Sequence, residues 1–286
     1  QTTTIARTYL DAATTDNERA WAYLYWGGAE GLKGRWLVTQ KEWVDAYFRG
    51  KAGAKYLRKA ITYNPDLYDA YMGLGIYDYF TDTLSGVQAV LAALLIHGDR
   101  GRGLRELQLA IDKGQHARVE AMLFLTEIYT FEENTPDKAL PLTQELRHEF
   151  PQSPAMHLAE IMTYYSLGQW DHVKIEAAIF LRQSEQETPY YSRLGIRPAL
   201  YCLGVAALMG DRDAETCLRD MNQILEGGED SSRWVTFAHL RRGQVYDLRG
   251  QRDQALAEYR RVLARADFWG SHKEAKIYVK EPYILH

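Results

Sequence analysis

The sequence predicts an all-α protein made of helical hairpins set in series. Three observations carry that expectation. Apolar residues recur at helical spacing along most of the chain and alternate at strand spacing almost nowhere. Short polar turns with Gly or Pro separate the apolar stretches at regular intervals. Residues 59–80 (KAITYNPDLYDAYMGLGIYDYF) join the end of one helix to a second across Asn64-Pro65. That second helix sets small Ala70, Gly73 and Gly75 among bulky Tyr71, Leu74 and Tyr77. Small residues let a neighbouring helix come close and large ones fill the remaining space, so such a unit needs neighbours to stay dry.

Taken in order, residues 16–34 carry Trp21, Leu24, Tyr25 and Trp26, then Gly27, Gly28, Gly31 and Gly34. Each interior Gly weakens a free helix by up to ~1 kcal/mol relative to Ala, which makes sense where another helix crosses tightly. Residues 36–48 continue with Leu37, Trp43, Val44 and Tyr47, and Gly50 is expected to end them. Residues 51–63 read as a helix striped by Ala54, Leu57, Ala60 and Ile61. Residues 85–97 (SGVQAVLAALLIH) include a run apolar all round, the pattern of a helix buried on several sides. The turn from Gly98 to Gly103 precedes a helix expected over 104–113. Helical pairs follow: 118–131 with 136–150, 154–167 with 170–182, 195–209 with 214–226, and 234–248 with 251–266. Residues 271–286 are expected to cap the last pair.

Composition bounds the function classes. Apolar residues make up 46% and charged ones 25% of 286 residues, an ordinary globular balance. Net charge is −4 with both signs interspersed, so no global field draws the chain to nucleic acid. No run of about 18 uninterrupted apolar residues argues for a spanning helix. Cys202 and Cys217 fit neither a disulfide scaffold nor a zinc ligand set; they read as packing residues on adjacent helices or as one bridge. The chain opens Gln1-Thr2-Thr3-Thr4 without an initiator Met, which suggests a trimmed or processed product.

With these residues in place, the chain resembles tetratricopeptide-repeat (TPR) proteins. Their 34-residue units carry small residues at positions 8, 20 and 27, large ones at 4, 7, 11 and 24, and Pro at 32. Gly243, Tyr246, Ala255 and Tyr259 match positions 8, 11, 20 and 24; Ala60 and Pro65 match 27 and 32; Tyr71, Leu74 and Gly75 match 4, 7 and 8. Leu125, Tyr129, Ala139 and Pro151 match if the turn at 132–135 holds one extra residue. Position 8 falls at Gly27, Gly75, Thr126, Ile161, Gly204 and Gly243, with spacings of 48, 51, 35, 43 and 39. Ile161, Val173 and Phe180 are larger than the family pattern allows. The resemblance implies a right-handed α-solenoid of about six helix pairs over 18–266, with insertions at about 35–48 and 81–100. A segment 1–17 precedes it and a capping tail 267–286 follows. The stretch from Asn64 to Phe80 with the insertion after it is similar to exported bacterial TPR proteins, implying a periplasmic or cell-envelope location.

The resemblance also implies a peptide-binding concave face, lined by positions 2, 5, 9 and 12 of each first helix. On this chain the face offers Trp21, Asp69, Met72, Tyr79, Glu127, Tyr165, Tyr201, Gln244 and Asp247. The Lys and Asn pair of the family's carboxylate clamp is absent at positions 5 and 9, occupied by Leu24/Gly28, Met72/Ile76, Leu123/Glu127, Leu158/Met162, Tyr201/Val205 and Leu240/Gln244. The groove reads as apolar and aromatic with acidic spots, suited to an amphipathic or basic segment. For any single residue, packing against the next repeat is the commoner role. Catalytic and metal motifs are scarce. His157 and Glu160 lack a second His at ligand spacing. Asp211, Asp213 and Glu215 lack the Gly and Glu that complete a calcium loop. The Gly98–Gly103 turn lacks the ending of a P-loop. The expectation is a non-enzymatic scaffold for a protein or peptide, needing no cofactor or metal. The alternative is a carrier of a lipid or apolar small molecule held between residues 85–97 and the groove.

Overall fold

A computed structural model describes residues 2–83, 98–228 and 230–285, and among these the fold is all-helical: fourteen α-helices and no strand. Contacts divide the chain into two compact units, Gln1–Glu133 and Asn134–His286. The first holds α1 (Thr2–Ala12), α2 (Asp16–Thr39), α3 (Trp43–Tyr63), α4 (Ala70–Thr83), α5 (Arg100–Lys113) and α6 (Arg118–Glu127). The second holds α7 (Pro136–Glu149), α8 (Pro154–Ser166), α9 (Trp170–Glu185), α10 (Ile196–Asp211), α11 (Ala214–Glu226), α12 (Arg233–Leu248), α13 (Arg252–Leu263) and α14 (Ser271–Lys280). The expected pair at 118–131 and 136–150 straddles that division. Residues 85–97 lie outside the described residues.

Local chemistry sets the helix starts. Thr15 accepts from the Glu18 N–H while the Glu18 carboxylate takes the Thr15 N–H, a reciprocal capping box at α2. The Thr14 N–H, then the Thr15 N–H and the Thr14 hydroxyl, all donating to the Glu18 carboxylate, hold the Glu18 carboxyl down at about 2. Asp99, Ser153, Asp213 and Ser232 cap α5, α8, α11 and α12 through side-chain oxygens. Pro136 and Pro154 open α7 and α8, where their missing N–H costs nothing.

Expected boundaries are corrected by tertiary contact. Gly50 does not end a helix, since α3 is continuous from Trp43 to Tyr63, and α2 runs past Gly34 to Thr39 with the tight crossing expected of its glycines. These helices are antiparallel and almost touch: a Cβ on Gly27 would stand 3.0 Å from the Gly53 carbonyl oxygen, and one on Gly34 3.1 Å from that of Ala46. The stretch 35–48 is therefore an extension of one long pair. Similarly, α5 begins at Arg100, inside the Gly98–Gly103 turn, and not at Leu104. Gly103 packs so closely on Gly75 that a Cβ there would meet the Gly75 oxygen at 2.7 Å, and Arg102 pairs with buried Asp78 at 2.6 Å. The extra residue expected at 132–135 is taken up earlier, by a π-helical turn over Ile128–Glu132 that continues α6.

Within the second unit each helix from α8 onward packs on the next, and α8 on α10, α10 on α12 and α12 on α14. The core joins Ile161, Val173, Phe180, Leu200, Val205, Leu208, Met221, Ile224 and Val235, so the three oversized residues are all interior. Cys202 on α10 and Cys217 on α11 are free and buried, and burial pushes both thiols up to about 12. Residues Arg193–Asp211, with α10 at their centre, are long and apolar enough by composition to cross a membrane. Here the apolar side chains of α10 build the core just described. The chain's last helix, α14, covers α13 through Ala275, Tyr278 and Val279.

Close approach is testable at Gly243, where a Cβ would lie 2.4 Å from Cε1 of the buried Tyr259 ring. Gly243→Val is expected to lower stability by about 2–3 kcal/mol, read from the denaturant midpoint. Gly28→Ala, where a Cβ meets nothing within 4 Å, is expected to gain up to ~1 kcal/mol from helix propensity. Equal shifts in the two variants would discount close approach as the constraint.

Candidate functional site

Three helices of the second unit bring one polar cluster together among aromatic rings. Tyr165 at the end of α8 and Tyr201 on α10 stack with ring centroids 6.0 Å apart and hydroxyls 3.3 Å apart. Arg241 on α12 donates from Nε to the Tyr201 hydroxyl at 3.2 Å and from Nη2 to the Tyr165 hydroxyl at 3.1 Å. Its Nη1 donates to Oε1 of buried Gln244 at 2.7 Å. Trp234 and Phe237 extend the aromatic surface from Tyr201 along α12, and Phe237 stacks on the exposed Trp269 at 5.7 Å. At the far end the Arg233 guanidinium lies over Trp234 at 5.1 Å and over Trp269 at 4.8 Å. Helical spacing sets this row: Arg233, Phe237 and Arg241 recur every four residues on one face of α12.

The electrostatics of that row are lopsided. Among the described residues, neither Arg233 nor Arg241 forms an ion pair with a carboxylate. Burial works to lower the Arg241 pKa; the Tyr165, Tyr201 and Glu274 side chains more than offset it, and the guanidinium stays charged. Burial raises the Tyr201 phenol far above its usual value, so that hydroxyl stays protonated. The side-chain amide nitrogen of Gln244 is buried with no hydrogen-bond partner.

Of the residues expected to line a groove, Tyr165, Tyr201 and Gln244 fall in this cluster, Tyr165 half-buried and Tyr201 and Gln244 buried, at 5% and 1% exposed, beneath its surface. Asp247 lies elsewhere on α12, its carboxylate taken by Arg252 at 2.8 and 3.0 Å, the Tyr259 hydroxyl at 2.7 Å and the Tyr283 N–H at 2.9 Å. The other five belong to the first unit. Asp69 is buried and accepts from the N–H groups of Gln115, His116 and Ala117, capping α6 from a distance in sequence. Tyr79 is 1% exposed and donates to Glu133 at 2.5 Å, so it is core and not lining. Trp21 is half-buried against Tyr25 and His116, Met72 is half-buried, and Glu127 is exposed. The acidic spots Asp69 and Asp247 are thus consumed inside the fold. Sequence reasoning passed over Arg241 and Arg233, although their four-residue spacing about Phe237 was visible.

The remaining buried ionisable groups also work within the fold. His157 bonds Tyr191 at 2.9 Å and Glu176 at 3.1 Å, and burial followed by Arg147 lowers its pKa to about 4, keeping it neutral. His239 and Glu258 meet at 2.6 Å, with Arg242 and Arg261 on the same carboxylate. In the first unit Asp78 receives Arg102 and Arg58. Beside it, burial and then the Asp78 charge push Glu106 up to about 7, and one Glu106 oxygen has no hydrogen-bond partner. No group of three His, Cys, Asp or Glu among the described residues is placed to hold a metal ion.

Glu106 yields a pH dependence with a definite sign. Its folded pKa is raised, so the stability it contributes is complete below its unfolded value of 4.5 and is lost as pH rises through about 7. Chemical denaturation between pH 5 and 8 is expected to show a fall on the order of 1 kcal/mol, allowing for partial exposure. Glu106→Gln is expected to flatten that fall; an unchanged profile in the variant assigns the slope to other groups. No protein-family model matches the chain, and no curated protein matches its sequence.

Proposed function

We propose that the chain is a non-enzymatic interaction scaffold whose second unit is a TPR-like stack of helical hairpins. That unit holds a peptide or protein segment against the face shared by α8, α10 and α12. Support for the stack comes from small Gly204 and Gly243 receiving the side chains of Met221 and Tyr259 from the helix that follows. It comes also from first helices that neighbour one another in succession, α8 to α10 to α12. The observation that carries the binding role is the cluster of Tyr165, Tyr201, Arg241 and Gln244 running into Trp269. It sets a charged, planar donor among aromatic rings, a composition suited to gripping a chain by area and by directed hydrogen bonds. The scaffold reading over catalysis is supported by buried acids and histidines that already serve as caps and ion pairs.

Selection from a random peptide library tests this reading. Peptides chosen on the wild-type protein are expected to lose at least about tenfold in affinity, roughly 1.4 kcal/mol, on the double variant Tyr165→Ala, Trp269→Ala. Unchanged affinities on a variant that melts like the wild type would remove this face from the model.

A further inference from the structure

We infer that the segment held on this face is acidic, with two carboxylates that pair with Arg233 and Arg241 and an apolar side chain between them that meets Trp269 at the level of Phe237. This rests on the docking reading above and specifies its chemistry. A sequence-level balance of charges pointed the other way, since the face included Asp247 and the chain carries net charge −4. The pairing of charges reverses that sign locally. Asp247 is neutralised by Arg252 and two further donors, whereas both arginines of the α12 row are left without a carboxylate among the described residues.

The acids nearby do not supply the missing partners. Asp230, just ahead of α12, is taken by Arg197 and the Ser232 N–H. Glu274 on α14 influences Arg241 electrostatically and makes no ion pair with it. Of the five N–H donors on a guanidinium, Arg241 spends three on Tyr165, Tyr201 and Gln244. Two remain, and its plane is fixed by three partners on three helices. Arg233 is exposed and is steadied by two indole rings. A planar charged donor held among rings, exposed at Arg233 and half-buried at Arg241 with two N–H groups that meet no side-chain acceptor among the described residues, matches a carboxylate in geometry and charge.

Spacing adds a constraint. Eight residues of helix separate the two arginines, about 12 Å along α12. An extended segment advances about 3.3 Å per residue, so its two acids stand three or four residues apart. The side chain between them falls at the level of Phe237, which is buried under the Trp269 ring stacked on it, so the surface it meets is that of exposed Trp269.

The experiment uses three fluorescein-labelled peptides of equal length: one with two Glu residues four apart about a central Phe, its Gln analogue and its Lys analogue. Fluorescence anisotropy against the full chain is expected to rank Glu above Gln by at least tenfold and Gln above Lys. Affinity for the Glu peptide is expected to fall as NaCl rises. Arg233→Gln, at an exposed position, is expected to cost the Glu peptide three- to tenfold and the Gln analogue nothing. Arg241→Gln is expected to cost more, with its melting curve recorded because the residue also ties three helices. Equal binding of the Glu and Gln peptides overturns the acidic assignment and leaves the docking face standing. No binding by any of the three also overturns it, and the library selection then decides separately whether the face docks a peptide. Anionic phospholipid vesicles bound in place of the Glu peptide, and lost with Arg233→Gln, overturn it in favour of a lipid surface.

Discussion

Most of this structure depends on how closely antiparallel helices approach at a few small residues. Gly27 lies against Gly53, Gly75 against Gly103, and Gly204 and Gly243 take the side chains of Met221 and Tyr259. At such separations dispersion contacts are dense, and the loss of helix propensity at Gly is offset by neighbours that a Cβ would exclude. The large residue of each pair then has one well-defined place. Tyr259 fills the space over Gly243 and its hydroxyl reaches Asp247, so a packing choice fixes a polar contact as well.

Buried charge follows from that packing. Helices held this tightly trap acids between them, and a trapped carboxylate is costly unless bonded. Asp69 meets three backbone N–H groups, Asp78 two arginines and Asp247 an arginine, a phenol and a backbone N–H. Glu106 is the instructive exception. With one oxygen unpartnered, it meets the same cost by holding its proton to higher pH. Arg233 and Arg241 on α12 meet indoles and phenols in place of carboxylates, which is why the sign of this face departs from that of the whole chain.

The helices and their turns were legible in the sequence because both signals are local. Apolar spacing marked the helices, and Gly168, Gly250 and Pro151 marked turns that the structure keeps. Gly50 and Gly103 misled for the same reason, since their meaning depends on what lies across from them. Locally each reads as a break; in the fold Gly103 meets a helix at closer than van der Waals distance and Gly50 sits near Tyr77, whereas Gly34, read as part of a tight crossing, lies in one. The candidate site was legible in part. Tyr165, Tyr201 and Gln244 were reached through repeat positions, which track the direction of a side chain. Asp69, Tyr79 and Asp247 were chosen by the same rule, yet their roles are set by partners as much as 54 residues away, in the case of Tyr79 and Glu133. Ion pairing is a tertiary property, so neither the consumed acids nor the spare arginines could be sorted from spacing alone.

The polar cluster around Arg241, half-buried at Arg241 and Tyr165 and buried at Tyr201 and Gln244, also ties helices together, and that bears on the proposed binding. Arg241 bonds Tyr201 on α10 and Tyr165 on α8, so the guanidinium is already oriented within the fold. A free arginine side chain would surrender about 2 kcal/mol of rotamer entropy on docking, much of which is already lost here in folding. Little further ordering is then required of the protein, and the larger entropic cost falls on the segment that binds. A pre-set guanidinium also discriminates by charge, because a carboxylate brings a full negative charge to it while a neutral amide offers one acceptor atom and no charge. In the docking proposed for this face, recognition would be governed by whether the partner brings an acid to Arg241 at the right distance from Arg233, more than by how much apolar surface it covers.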